Sequence, residues 1–136
     1  MYFFHTTTAK VKEWIRALSC KKHACQGKEY YYIENDSVNT DGLPDCVFLS
    51  GFDPLMLGYE KKESLYMKQQ DMRRIFNLAG IVMPALLLRG EVAGKWKRKN
   101  KTLIIESFRL LYTKEKSLIE EKAFHTWREP MEIRYI

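Results

Sequence analysis

The stretch from Gly80 to Phe108 constrains the fold of this chain most strongly, because its residues follow the pattern of three strands joined by two tight turns. The apolar run Ile81 to Leu88, broken only by Pro84, is typical of a strand covered on both faces, with the proline at an edge or a bulge. Turn residues at Arg89-Gly90-Glu91 and Asn100-Lys101 separate the run from two further strand patterns. The sequence therefore predicts an antiparallel β-meander.

The second hairpin of this meander carries a dense positive charge. Five of the seven residues from position 95 to position 101 are Lys or Arg. A two-stranded ribbon with basic residues can lie along phosphates or enter a groove of a nucleic acid, and natural sheets also use lysines to protect an exposed edge from aggregation. For the first interpretation the candidate DNA-binding residues are Lys95, Lys97, Arg98, Lys99 and Lys101.

Trp96 lies among these cations and can serve either of two purposes, packing on the sheet or stacking on a base. A strict alternation of faces would place it with Val92 and Gly94, opposite Lys95 and Lys97. The alternation favours a core position for Trp96.

The composition limits the function. The chain has 136 residues and a formal net charge of +6, which suits one domain, or a small domain with an attached fragment, with an affinity for nucleic acid or another anionic surface. No apolar run approaches the roughly 20 residues of a membrane span, and no signal peptide is recognisable, so we predict a cytoplasmic protein without membrane contact. The three cysteines lack a zinc-ligand pattern, and cofactor fingerprints are absent, so no metal, cofactor or catalytic residue is predicted.

The N-terminal part has the order of a helix followed by a hairpin. Threonines at positions 6 to 8 can cap a helix whose apolar residues recur at helical spacing, and Gln26-Gly27 then separates two short strands. In a winged helix this order corresponds to a recognition helix and its wing, although the same charges could simply be solvated on a small α+β unit. The candidate phosphate contacts in this part are Lys10, Lys12, Arg16 and Lys28.

The rest of the chain reads as a second, β-rich domain. We predict the end of a winged-helix unit over 1–36, a linker over 37–45 and a C-terminal domain over 46–136. A strand at 46–49, a capped turn at Asp53-Pro54, a helix from Met72 through Ala79 and a final helix capped by Thr113 complete the pattern. The fold class is α+β: a partial winged helix followed by an antiparallel meander, or small barrel-like domain, with flanking helices.

The order of these motifs resembles the bacterial winged-helix family that includes the AlkZ-like DNA glycosylases acting on alkylated bases and interstrand crosslinks. The resemblance covers residues 9 to 110 and implies a C-terminal part of such a protein, with tandem winged helices and a β-rich domain around a basic DNA-binding surface. The matching features are Phe52-Asp53-Pro54, the helix end at Arg74 to Phe76, Asn77 with Gly80, Pro84, and Arg89-Gly90 followed by Gly94-Lys95-Trp96.

The family's catalytic signature is a Gln-x-Gln or Gln-x-Asp pair in the N-terminal region of its members. Here the formal match is Gln69-Gln70-Asp71, which lies in the wrong part of the family pattern and is treated as coincidental. The predicted function is therefore the binding of double-stranded DNA without catalysis by this chain alone. The alternatives are a DNA-clamping part of an active glycosylase and a protein-interaction module.

Overall fold

The structure, a computed structural model, describes residues 6–25, 27–34, 41–58 and 65–136. The chain divides into two compact units, 1–42 and 43–136, and the division falls inside the range predicted as a linker. The elements are α1 (Thr8–Ala17), β1 (Lys21–Cys25), β2 (Lys28–Tyr32), β3 (Cys46–Leu49), α2 (Pro54–Leu57), α3 (Met72–Ile75), β4 (Ala85–Leu88), β5 (Glu91–Lys99), β6 (Thr102–Ser107), α4 (Thr113–Trp127) and β7 (Glu132–Tyr135).

The described residues of the first unit form one helix and one hairpin. Thr7 caps α1, since its Oγ1 accepts a hydrogen bond of 3.3 Å from the backbone N–H of Lys10. β1 and β2 pair antiparallel, with Cys25 opposite Lys28 next to the turn. The predicted order of helix and hairpin is confirmed, whereas its identity as a winged helix stays a prediction.

The second unit is built on one five-stranded sheet with the order β3-β4-β5-β6-β7. The first four strands are antiparallel neighbours, and β7 pairs in parallel with β6 after α4 has crossed the sheet. A parallel return needs such a crossover, because a tight turn can only reverse the chain. The predicted meander is confirmed, but the barrel-like form is wrong: the described strands form a mixed sheet, with β3 and β7 at its edges.

Both predicted hairpin turns are present. The link between β4 and β5 is Arg89-Gly90, whose φ angles of 49° and 80° are those of a two-residue turn that matches the twist of the strands. Asn100, with φ 54°, begins the turn between β5 and β6. The strand predicted from Ile81 begins only at Ala85, because the chain before Pro84 turns away to pair with Phe76.

A β-bulge divides β5 into two parts, and the alternation of side chains between the two faces of the sheet is reversed from one part to the other. Leu87 lies opposite Val92 and Leu86 lies opposite Gly94, so Ala93 is the extra residue. An extra residue reverses the alternation beyond it. The prediction that Val92 and Trp96 share a face is therefore wrong: Val92 belongs to the core on one side of the sheet and Trp96 packs against the core on the other.

The α4-side core lies between the sheet and the long helix. Ile119 and Ala123 of α4 are buried against Leu103 and Ile105 of β6. Trp96 packs here, and its Nε1 donates a hydrogen bond of 2.9 Å to the carbonyl of Leu49. The predicted core role of Trp96 is confirmed, and its ring contacts Phe48 and Trp127 at centroid distances of 5.5 and 5.6 Å.

The α3-side core covers the other face of the sheet over β3 and β4. Asp53 caps α2 as predicted, because its Oδ1 accepts a hydrogen bond of 2.9 Å from the N–H of Leu55. The helix predicted through Ala79 ends at Ile75, since Phe76 adopts an extended conformation and pairs with Val82. The buried residues of this core include Leu49, Met56, Ile75, Leu87 and Val92.

Candidate nucleic-acid interface

The face of the sheet opposite α4 exposes lysines where β5 extends beyond the α3-side core. Lys97 and Lys99 are exposed there, two positions apart and therefore on the same strand face, and neither forms an ion pair with a described residue. Lys95 precedes them on the same face, partly exposed. Side chains at alternate strand positions lie about 7 Å apart. We call these three residues the lysine row.

The other two predicted hairpin cations point elsewhere. Arg98 lies opposite Leu103, on the face that α4 covers, and donates a hydrogen bond of 2.7 Å to Glu129. Lys101, at the turn, has its Nζ 3.7 Å from the second oxygen of the same carboxylate. The basic cluster of the sequence is thus divided into an exposed row on one face and a pair bound to Glu129.

Arg134 on β7 extends the lysine row and was missed in the sequence. The pairing places Ile104 opposite Lys97 on one side and opposite Arg134 on the other, so the three residues lie side by side across β5, β6 and β7. Arg134 is exposed and forms an ion pair of 2.8 Å with Glu132. Residues 131–135, MEIRY, alternate apolar and charged positions, a signal that could have predicted this strand.

Lys95 differs from the other two lysines because it is partly neutralised. Its Nζ lies 3.0 Å from Glu106, and Arg74 reaches the same carboxylate at 3.3 Å. The hydrogen bond from Lys95, with help from Arg74, lowers the pKa of Glu106. A shallow cavity of about 160 Å³ lies beside this cluster, lined in part by Met83, Lys97 and Ile104.

Gln69, Gln70 and Asp71 form a single 3₁₀ turn before α3. Asp71 is only 5% exposed, and its carboxylate lies 3.4 Å from Arg74. The carboxylate is thus held against Arg74, which also reaches Glu106 of β6, an arrangement that suits a structural role.

The cations predicted in the first unit lie on different sides of their elements. Lys12 and Arg16 are one helical turn apart and line the same shallow groove of α1 with Glu13. Lys10, two residues before Lys12, lies on another side of the helix. Lys28 is half-buried at the start of β2.

Other kinds of site have little support in the described part of the chain. The described residues contain no group of three His, Cys, Asp or Glu side chains that could hold a metal ion. Cys46 is a free thiol whose burial raises its pKa to about 11. Within the described ranges, no helix is both long and apolar enough to cross a membrane.

Comparison with known proteins places these features in a family. The family model described as "DNA glycosylase AlkZ-like" matches residues 1–126. Among solved structures, the Streptomyces sahachiroi DNA glycosylase AlkZ is similar with a TM-score of 0.77 and 20% identity, which shows a shared fold. The match covers 96% of this chain and 38% of that one. A search of curated proteins finds no matching sequence.

Proposed function

Because the chain belongs to the AlkZ-like DNA glycosylase family, we propose that it binds double-stranded DNA through the open face of its sheet. The observation that carries this proposal is the lysine row, in which Lys97 and Lys99 are exposed and form no ion pair with a described residue. Lysines that only protect the edge of a sheet from aggregation need not lie on the same face of a strand. Cations in line on one face can each contact a separate phosphate.

The remaining predicted cations differ in how much positive charge they contribute to DNA binding. Lys95 within the row and Arg134 beside it have acidic partners, so each adds less positive charge. Arg98 and Lys101 contribute least, because Glu129 compensates them. The first unit supplies a second group of phosphate contacts, as the recognition helix and wing of a winged helix: Lys10, Lys12, Arg16 and Lys28.

In this proposal the chain binds the DNA. The removal of the base is carried out by other parts of a longer protein. The matched AlkZ structure is more than twice as long as this chain, which leaves ample room for a catalytic centre elsewhere. The position of Asp71, buried against Arg74, supports the view that the formal Gln-x-Asp match here is structural.

The lysine row provides the direct test. We expect the double substitution Lys97→Ala and Lys99→Ala to weaken binding of a labelled duplex roughly tenfold at about 0.1 M salt, because two phosphate contacts are lost. The slope of log affinity against log salt should fall by about 2. Fluorescence anisotropy across a salt series measures both quantities.

The matched control is the double substitution Lys114→Ala and Lys116→Ala, which removes the same charge from two exposed positions of α4. This variant should bind almost as the unmodified chain does. Equal losses in the two variants would show a general charge effect. Absence of duplex binding even at low salt would leave the protein-interaction alternative as the better account.

A substitution of Glu129 tests the proposal in the opposite direction, because it should raise the affinity for DNA. We expect Glu129→Gln to raise duplex affinity about twofold, because it removes a negative charge and releases Arg98 and Lys101. Glu121→Gln is the control, since it makes the same charge change at an exposed position of α4. An unchanged affinity for the Glu129 variant would show that DNA does not approach the hairpin turn.

A further inference from the structure

The turn that connects α3 to the sheet presents an exposed leucine. Leu78 is 89% exposed, more than any other large apolar side chain among the described residues. A single exposed leucine is ordinary on a protein surface. Leu78 is distinguished by how firmly the turn is built and by what surrounds it.

Several hydrogen bonds fix the turn. The backbone N–H of Asn77 donates to the carbonyl of Ile81 at 3.1 Å, and the N–H of Ile81 donates to Oδ1 of Asn77 at 2.9 Å. Gly80, with φ 78°, supplies the left-handed residue that closes the turn and donates to the carbonyl of Asn77 at 3.2 Å. The turn therefore fixes the backbone at Leu78, so that binding has to order little more than its side chain.

The turn lies at the end of the sheet to which the basic hairpin points. The residues that follow it run beside β5, since the carbonyl of Pro84 accepts a hydrogen bond of 3.1 Å from the N–H of Trp96. Met83 lines the same cavity as Lys95 and Lys97. The preceding helix α3 lies on the face of the lysine row, because Arg74 reaches Glu106.

The surroundings of Leu78 are both apolar and cationic. Ile81 and Phe52 are exposed at the same end of the sheet, where the N–H of Phe52 donates to the carbonyl of Val82 at 3.2 Å. Arg73 lines the shallow surface beside Leu78. A purely apolar partner would not require a flanking cation, whereas a duplex offers phosphates beside an apolar stack of bases.

We propose that Leu78 is a wedge that inserts at a base step of the duplex held by the lysine row. This inference rests on the proposed DNA binding and adds a specificity-determining residue to it. Apolar side chains that enter a base step partly unstack it, which costs free energy. The cost is smallest where the stack is already weakened by a mismatched or damaged base. Leu78 thus gives the chain a preference for weakened duplexes that phosphate contacts alone cannot supply.

Two measurements on the 136-residue chain test the wedge. The first is the fluorescence of 2-aminopurine placed inside a short duplex, which rises when the base is unstacked. The second is the affinity for a duplex with one central mismatch relative to its fully paired counterpart. We expect the unmodified chain to raise the fluorescence and to bind the mismatched duplex several-fold more tightly, in line with the lower unstacking cost.

Leu78→Ala should keep its affinity for the paired duplex within about twofold, because the phosphate contacts remain. It should lose the fluorescence rise and the preference for the mismatch. Leu110→Ala is the matched control, since Leu110 is 78% exposed and follows β6 at the opposite end of the sheet. Leu78→Phe, which keeps an apolar wedge, should retain both signals.

The outcomes separate the wedge from the DNA binding on which it rests. A chain that binds duplex through Lys97 and Lys99 but shows no fluorescence rise, or shows the same rise after Leu78→Ala, overturns the wedge alone. A chain that binds no duplex overturns both proposals. Equal losses in the Leu78 and Leu110 variants would also overturn the wedge, because they would reflect a general effect of exposed leucines.

Discussion

Gly94→Ala is expected to destabilise the second unit by about 3 kcal/mol, the upper range for overpacking a well-packed site. A Cβ atom at this position would lie 2.6 Å from the carbonyl oxygen of Glu106 and 3.1 Å from Cα of Ser107. Both atoms belong to the backbone of β6, which a rotamer change cannot move. The methyl group therefore forces β5 and β6 apart at the point where Gly94 lies opposite Ser107.

Urea unfolding followed by tryptophan fluorescence measures this effect, because Trp96 and Trp127 contact each other in the α4-side core. Gly42→Ala is the control: an added Cβ there has nothing within 4 Å, so its free energy of unfolding should change by less than about 0.5 kcal/mol. A Gly94 variant as stable as the unmodified chain would show that β6 can move aside without loss.

The same substitution links the fold to the proposed DNA binding. Gly94 directly precedes the lysine row, so a displaced β5 would change the spacing of Lys95, Lys97 and Lys99 relative to β6. We therefore expect duplex affinity to fall even under conditions in which the variant remains folded. Close approach of the backbones at Gly94 is thus needed for both the core and the cationic face.

The turns and the meander could be predicted from the sequence because their signals are local. Gly90 and Asn100 tolerate positive φ, and the runs around them have the composition of strands. The bulge at Ala93 could not be predicted in this way. It depends on which residue of β4 each residue of β5 meets, and that pairing is a property of the assembled sheet.

The candidate site was predicted as a cluster, and the structure resolves it into separate groups. Counting cations from position 95 to position 101 ignores the strand period, which sends Arg98 to the face opposite Lys97 and Lys99. The partner of Arg98 is Glu129, 31 residues later, and only the crossover through α4 brings it near. Arg134 was missed for the same reason, since β7 joins the sheet through a long connection.

Leu78 shows what sequence periodicity misses. The spacing of apolar residues predicted a helix through Ala79, but α3 ends at Ile75. Beyond that point the hydrogen bonds of Asn77 replace those of the helix. Hydrophobic periodicity assigns apolar residues to the core, so it does not identify an apolar residue that is exposed in a turn.

Glu115 is expected to give the second unit a stability that depends strongly on pH in the acid range. Its carboxylate accepts two hydrogen bonds from Arg109, at 2.6 and 2.9 Å, and a third from the N–H of Tyr112 at 3.0 Å. The Arg109 guanidinium, followed by the Tyr112 N–H, lowers the pKa of Glu115 from 4.5 to about 2. The ionised carboxylate also interacts favourably with the positive end of α4.

The direction in which stability changes with pH follows from the lowered pKa of Glu115. Above pH 4.5 the carboxylate is ionised in both the folded and the unfolded chain, so its full contribution, about 2 kcal/mol after solvent screening, is present. As the pH falls from 4.5 towards 2, the unfolded chain takes up the proton first and this stability is lost. Glu115→Gln should therefore be about 2 kcal/mol less stable than the unmodified chain at pH 7 and nearly equal to it close to pH 2.

Urea unfolding of the two chains at several pH values between 2 and 7 measures the difference, with Glu121→Gln as the control on the exposed side of α4. The control should follow the unmodified chain at every pH, because its partner His125 is a distant 3.8 Å away and both side chains are solvated. A constant gap between the Glu115 variant and the unmodified chain at all pH values would contradict the prediction. It would mean that Glu115 stabilises the start of α4 by packing, and that its charge and its bond to Arg109 add nothing.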